Sequence, residues 1–108
     1  MDSIVIVCGA GASSSFLANR MRGIARDRGL DLRVTAASTD DLAALLPGAS
    51  ALLVGPHLAT GYHDIAVRAA EHGVPVALLP ETAFAPAGAE QAVDLVGSLL
   101  PVGPTHVA

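Results

Sequence analysis

The stretch Ile4-Val5-Ile6-Val7-Cys8-Gly9-Ala10-Gly11-Ala12-Ser13-Ser14-Ser15-Phe16-Leu17 decides the fold. Ile4 to Val7 form an unbroken β-branched run, the pattern of a parallel strand buried on both faces. Residues 9–15 are glycine, alanine and serine, the composition of a tight loop that opens a helix. Cys8, the only cysteine of the chain, stands at that junction. A thiol placed there faces backbone N–H groups and the positive end of a helix dipole. Such a setting binds phosphate and lowers a thiol pKa. The arrangement suits a nucleophile that accepts a phosphoryl group.

Outward from this junction, strand-like and helix-like segments alternate. Residues 3–7 read as the first strand and 14–28 as the first helix, closed by Gly29. On a wheel of about 100° per residue, Leu17, Ala18, Met21, Ile24 and Ala25 share one side. Asn19, Arg22, Arg26 and Asp27 share the other. Residues 32–36 read as an edge strand, because Arg33 and Thr35 alternate with apolar neighbours. Thr39-Asp40-Asp41 reads as the N-cap cluster of a short helix through Leu46, stopped by Pro47-Gly48. Residues 51–55 form a wholly apolar and therefore central strand, broken at Gly55-Pro56. Residues 62–72 read as a helix with Tyr62, Ile65, Ala66 and Ala69 inward, capped by Gly73. Residues 74–79 read as the fourth strand, 81–87 as a loop and 88–100 as the last helix. Ala92, Val93, Val96, Leu99 and Leu100 of that helix are available for burial. Residues 1–100 thus read as one domain, and 101–108 as a flexible tail.

This repetition predicts an α/β fold with a parallel sheet covered on both faces. Right-handed crossovers bring every strand's carboxyl end to one edge, where ligands bind. Cys8 ends the first strand. Gly55-Pro56-His57 and Leu79-Pro80-Glu81 end the third and fourth, so all three belong on that edge.

Composition narrows the function. At 108 residues the chain is long enough for a core that needs neither disulfide nor metal. Its apolar content is 52%, with only three aromatics, and suits helices packed on a Val/Leu-rich sheet. All six cations are arginines and the net charge is −4, which argues against nucleic-acid binding. A lone cysteine, an N-terminus without a basic region and no long apolar run predict a cytoplasmic protein.

Four phosphate-binding devices compete for residues 8–15. A Walker A loop requires a lysine, which the chain lacks. A dinucleotide fingerprint fits Gly9 and Gly11 but finds Ser14 at its third glycine and no acid over residues 35–39. A cysteine-dependent phosphatase needs an arginine six residues after the cysteine to clamp phosphate; that position is Ser14. The fourth device is a phosphocysteine carrier.

Here Cys8-Gly9-Ala10-Gly11-Ala12-Ser13-Ser14-Ser15-Phe16-Leu17 resembles the Cys-Ser-Ala-Gly-Met-Ser-Thr-Ser-Leu-Leu loop of enzyme IIB of the sugar phosphotransferase system, lactose/cellobiose class. Leu52-Leu53-Val54-Gly55-Pro56-His57 is similar to that family's Leu-Leu-Gly-Pro-Gln, and Asp64-Ile65 gives a looser match. The resemblance implies a three-layer sandwich with a four-stranded parallel sheet of order 2-1-3-4, related to the low-molecular-weight phosphatase fold. It implies a phosphoryl relay from phosphohistidine on a IIA protein, through Cys8, to a sugar of the cellobiose, lactose or chitobiose type. That sugar would be bound to the membrane IIC permease. Ala12 replaces the family's methionine and His57 its glutamine. Galactitol- and ascorbate-type IIB proteins also carry Cys-Gly loops.

Cys8 is then the nucleophile. The N–H groups of Gly9, Ala10, Gly11, Ala12, Ser13, Ser14 and Ser15 cradle the phosphate, with the serine hydroxyls as further donors. One of these serines alternatively serves as the helix N-cap. Gly9 and Gly11 allow close approach of backbone to phosphate. His57 reads either as an accessory donor to the phosphate or as a solvated loop histidine. Phe16 reads either as a partner contact or as a staple under the start of the helix, and Phe84 has the same two readings. Arg22 and Arg26 form a basic stripe. His63, His72 and His106 show no metal-ligand spacing with one another or with Cys8 and read as surface residues. No cofactor and no metal are expected. A phosphatase, an arsenate reductase and a IIB-like regulatory module stand as alternatives.

Overall fold

The computed structural model describes residues 2–7, 11–84 and 88–100, without the side chains at positions 11–14, 57, 59 and 84. Four strands, β1 (Asp2–Val7), β2 (Leu32–Ala37), β3 (Ala51–Val54) and β4 (Val76–Leu78), form one sheet. Its order is β2-β1-β3-β4 and every pairing is parallel. The helices are α1 (Gly11–Asp27), α2 (Leu42–Leu45), α3 (Tyr62–Glu71) and α4 (Gly88–Leu99).

Period-two alternation sorts the core into two layers. Ile4 and Ile6 of β1 and Leu53 of β3 pack with Leu17, Ala18 and Met21 of α1 and Ala92, Val93 and Val96 of α4. Val5, Val7, Leu52 and Val54 pack on the opposite face with Leu42 of α2 and Ile65 and Ala69 of α3. The sheet is therefore the middle of three layers, and β1 and β3 are buried because helices cover both faces. The handedness rule accounts for the sorting. From β1 the chain steps to one side through α1. From β2 to β3 and from β3 to β4 it steps to the other side through α2 and α3. Connections of one hand that run in opposite directions lie on opposite faces.

Gly29 (φ 73°) and Gly73 (φ 69°) are the glycines with positive φ among the described residues. Each ends a helix as its position predicts. The N–H of the following residue, Leu30 or Val74, reaches back to the carbonyl of Ala25 or Ala69 at 2.8 and 3.0 Å.

Several boundaries differ from the sequence reading. α1 starts at Gly11 rather than Ser14. The first N–H groups of a helix need no intrahelical acceptor, so glycine and serine are tolerated there. Ser13, Ser14 and Ser15 consequently lie inside the helix and none is its N-cap. The segment after β2 is a 3-10 turn (Thr39–Asp41), a single α turn and a second 3-10 turn (Leu46–Gly48). Its cap is Ser38, whose N–H donates to the Asp41 carboxylate at 3.2 Å. β4 is shorter than residues 74–79: the Val74 N–H is spent on the cap of α3, and Pro75 has none. Glu81–Phe84 is a 3-10 turn rather than open loop. The expected tail, 101–108, lies outside the described residues.

Candidate functional site at the carboxyl edge of the sheet

All four strands finish in one register row. Val7 pairs with Ala37 on one side and Val54 on the other, and Val54 pairs with Leu78. The ladder runs one residue further toward β4: the Gly55 N–H donates to Val7 O at 2.8 Å and the Leu79 N–H to Val54 O at 2.7 Å. The predicted common edge is thus present, and it is flush.

The crevice on this edge lies between β1 and β3. The chain leaves β1 for α1 on one face and leaves β3 for α3 on the other, the divergence at which α/β sheets bind ligands. On the β1 side, Cys8, Gly9 and Ala10 lie outside the described residues. Their place is bounded by Val7, the last residue of β1, and Gly11, the first of α1. Gly11, Ala12 and Ser13 open α1, so their N–H groups lack intrahelical acceptors and carry the helix's partial positive charge. Ser15 is exposed.

On the β3 side, Gly55 is buried and begins a turn closed by the Leu58 N–H on Gly55 O at 3.0 Å. His57 sits in the 3-10 turn that follows, Pro56–Gly61, on the same side of the crevice; its imidazole lies outside the description. The fold brings the Cys8 segment and the His57 turn to adjacent strands, as the sequence predicts.

Other candidates separate. Phe16 is 57% exposed, which overturns the staple reading, and Arg20 lies over its ring at 5.6 Å from the centroid. Arg22 is no part of a free basic stripe. Its Nε and Nη2 donate to Val34 O on β2 at 3.0 and 2.8 Å, and Nη1 donates to Asn19 Oδ1. The sequence alone hides this, since Arg22 meets Val34 only after β2 has returned beside β1. His63 and His72 are exposed, as expected, while His106 and the Phe84 side chain are outside the description. Among the described residues, no group of three His, Cys, Asp or Glu could hold a metal ion. No described helix is long and apolar enough to cross a membrane.

A flush parallel edge, with α1 opening at Gly11 four residues after β1 ends at Val7, defines an α/β protein with its sheet in the middle of three layers. The chain belongs to the lactose/cellobiose-specific IIB subunit family of the sugar phosphotransferase system, whose pattern matches residues 3–94. It is 36% identical over 78 residues to the cellobiose-specific EIIB component of Lactococcus lactis subsp. lactis, covering 68% of this chain and 72% of that protein. It is 35% identical over 78 residues to the galactose-specific EIIB component of Lactococcus lactis subsp. cremoris, with the same coverage of 68% and 72%. The fold is shared with the lactose-specific IIB domain of Streptococcus pneumoniae (TM-score 0.80, 13% identity, 91% of this chain and 96% of that one). It is also shared with the cellobiose-specific IIB protein of Borrelia burgdorferi (TM-score 0.74, 19% identity, 92% and 91%). The protein is therefore a sugar-specific IIB component, a class of phosphotransferases.

Proposed function

We propose that this IIB component is a phosphocysteine carrier. Cys8 accepts a phosphoryl group from phosphohistidine on a IIA protein and passes it to a sugar of the cellobiose, lactose or chitobiose type held by the membrane IIC permease. The observation that carries this reading is the start of α1 at Gly11. That start leaves the unpartnered N–H groups of the helix opening directly after, in sequence, the segment that holds the chain's only thiol, which supports the reading.

In the first transfer the Cys8 thiolate attacks phosphorus. A P–S bond forms as the P–N bond breaks, and the histidine nitrogen leaves with its electron pair. In the second, a sugar hydroxyl attacks, loses its proton, and the thiolate leaves. The N–H groups of residues 9–13 meet the charge on the phosphoryl oxygens in both steps, while those of Ser14 and Ser15, expected in the cradle, are spent inside α1; positioning and backbone electrostatics supply the catalysis. The three serine hydroxyls add donors, and His57, in the turn after β3, is the accessory donor of this reading. Ser14, where a cysteine phosphatase has its arginine, supports storage of the phosphoryl group over rapid hydrolysis.

The test is intact mass after incubation with a phosphorylated IIA protein, for wild type and Cys8→Ser. A single phosphate adduct on wild type alone is the expected result. An adduct on the serine variant, or none on wild type with a panel of donors, removes the carrier reading and favours the phosphatase or regulatory alternatives.

A further inference from the structure

We propose that Tyr62 is a positioning residue for His57, fixing the far end of the turn that carries it; the proposal rests on the carrier reading and deepens it. The six residues Pro56–Gly61 cross from β3 to α3, with His57 second among them. The near end of this arch is tied to the cysteine segment. Gly55 is buried, and its N–H donates at 2.8 Å to Val7 O, the oxygen of the peptide that joins Val7 to Cys8. The arch does not hold its own shape as one helix. Leu58 (φ −102°, ψ 18°) leaves helical geometry directly after His57 and kinks the turn. The placing of His57 therefore depends on both ends.

The far end is Tyr62, the first residue of α3. Its ring is half-buried and packs against the core layer of α2 and α3, as do Leu58 of the arch and Val76 of β4. Its hydroxyl donates to Val76 O at 3.4 Å. That oxygen lies on the open side of the edge strand. Pro75 O accepts from Leu52 and the Leu79 N–H donates to Val54 O, so the odd-numbered residues of this stretch face β3 and Val76 faces away. Tyr62 thus closes the arch onto β4 with an apolar body and a polar tip. The Gly55 tie is backbone and survives most substitutions, whereas this one belongs to a single side chain. A group misplaced by about 1 Å costs on the order of a hundredfold in rate. Tyr62 therefore acts on the transfer through His57, without touching the phosphoryl group.

The experiment follows single-turnover phosphoryl uptake from a phosphorylated lactose/cellobiose-class IIA protein over a range of donor concentrations. It compares wild type, Tyr62→Phe, His57→Ala and the double variant, each checked for folding by thermal unfolding. The rate at saturating donor is expected to fall about tenfold or more in His57→Ala. In Tyr62→Phe it falls about threefold to tenfold, and the donor concentration for half-maximal rate is unchanged. In the double variant the tyrosine change costs less than about twofold beyond His57→Ala, because the residue it positions is gone. A tyrosine that only stabilises the fold slows both backgrounds by the same factor, and that result overturns the assignment. So does a wild-type rate in Tyr62→Phe or in His57→Ala while wild type itself is phosphorylated; the carrier reading then stands and the assignment alone falls. No uptake by wild type removes both.

Discussion

The guanidinium of Arg22 grips the backbone carbonyl of Val34, with Nε at 3.0 Å and Nη2 at 2.8 Å from the same oxygen. Val34 belongs to β2, the edge strand beside β1, and an edge strand has no neighbour on its outer side to satisfy its polar groups. A side chain from α1 therefore supplies donors that a fifth strand would otherwise provide, and ties α1 to the edge of the sheet.

Replacing Arg22 with methionine keeps most of the aliphatic stem and removes both donors. The carbonyl is part-buried, so the cost is expected at about 1–2 kcal/mol. Urea unfolding should show a lower midpoint with an unchanged slope. Arg22→Lys should recover only part of the loss, because an ammonium lacks the planar fork. A methionine variant as stable as wild type would mean that water replaces the guanidinium without cost.

Two glycines in α4 separate packing from propensity. A Cβ on Gly88 would collide with the backbone of Thr82 and Ala83, whereas one on Gly97 meets nothing within 4 Å. Gly88→Ala is expected to destabilise by about 1–3 kcal/mol, because the clash is with backbone in the turn before the helix. Gly97→Ala removes an entropic cost in a helix interior and should stabilise by about 0.5–1 kcal/mol. Thermal unfolding of the pair gives shifts of opposite sign. Shifts of one sign would show that the close approach of α4 to Thr82 and Ala83 is not maintained in solution.

How far the sequence could be read follows from where the information lies. β1, β3 and the alternation of strands and helices were legible because both central strands are unbroken apolar runs. The capping glycines Gly29 and Gly73 mark two helix ends plainly. The length of β4 was not legible, since Val74 reads as a strand residue until the α3 cap takes its N–H. The start of α1 at Gly11 is hidden in the sequence because Gly11 and Ser13 resemble loop residues, and their tolerance in a first turn comes from missing acceptors rather than propensity. At the site, the junction of strand, cysteine and glycine-serine loop singles out the candidate from the sequence alone. The shared crevice of β1 and β3 follows from strand order, which the family resemblance implied and the structure bears out. The solvent exposure of Phe16 and the grip of Arg22 on Val34 are tertiary facts. A helical wheel puts both residues on the polar side and distinguishes neither role.

On the α1/α4 layer, Arg28 Nη1 and Asp94 Oδ1 meet at 2.7 Å, with side chains 39% and 68% exposed. A short distance alone does not make the pair strong. Solvent screens the charges, and both side chains lose freedom in one geometry. A double-mutant cycle with Arg28→Ala and Asp94→Ala is expected to give a coupling below about 1 kcal/mol at low ionic strength. The coupling should shrink further in about 1 M salt, where the Debye length is shorter than the side chains. The two helices are held instead by Leu17 and Met21 against Val93 and Val96 in the shared core. Met21 is fully buried, and Met21→Ala should cost about 2–5 kcal/mol in the same assay. A coupling larger than the loss at Met21 would place the bond between α1 and α4 at the surface pair and overturn the view that apolar packing holds this layer.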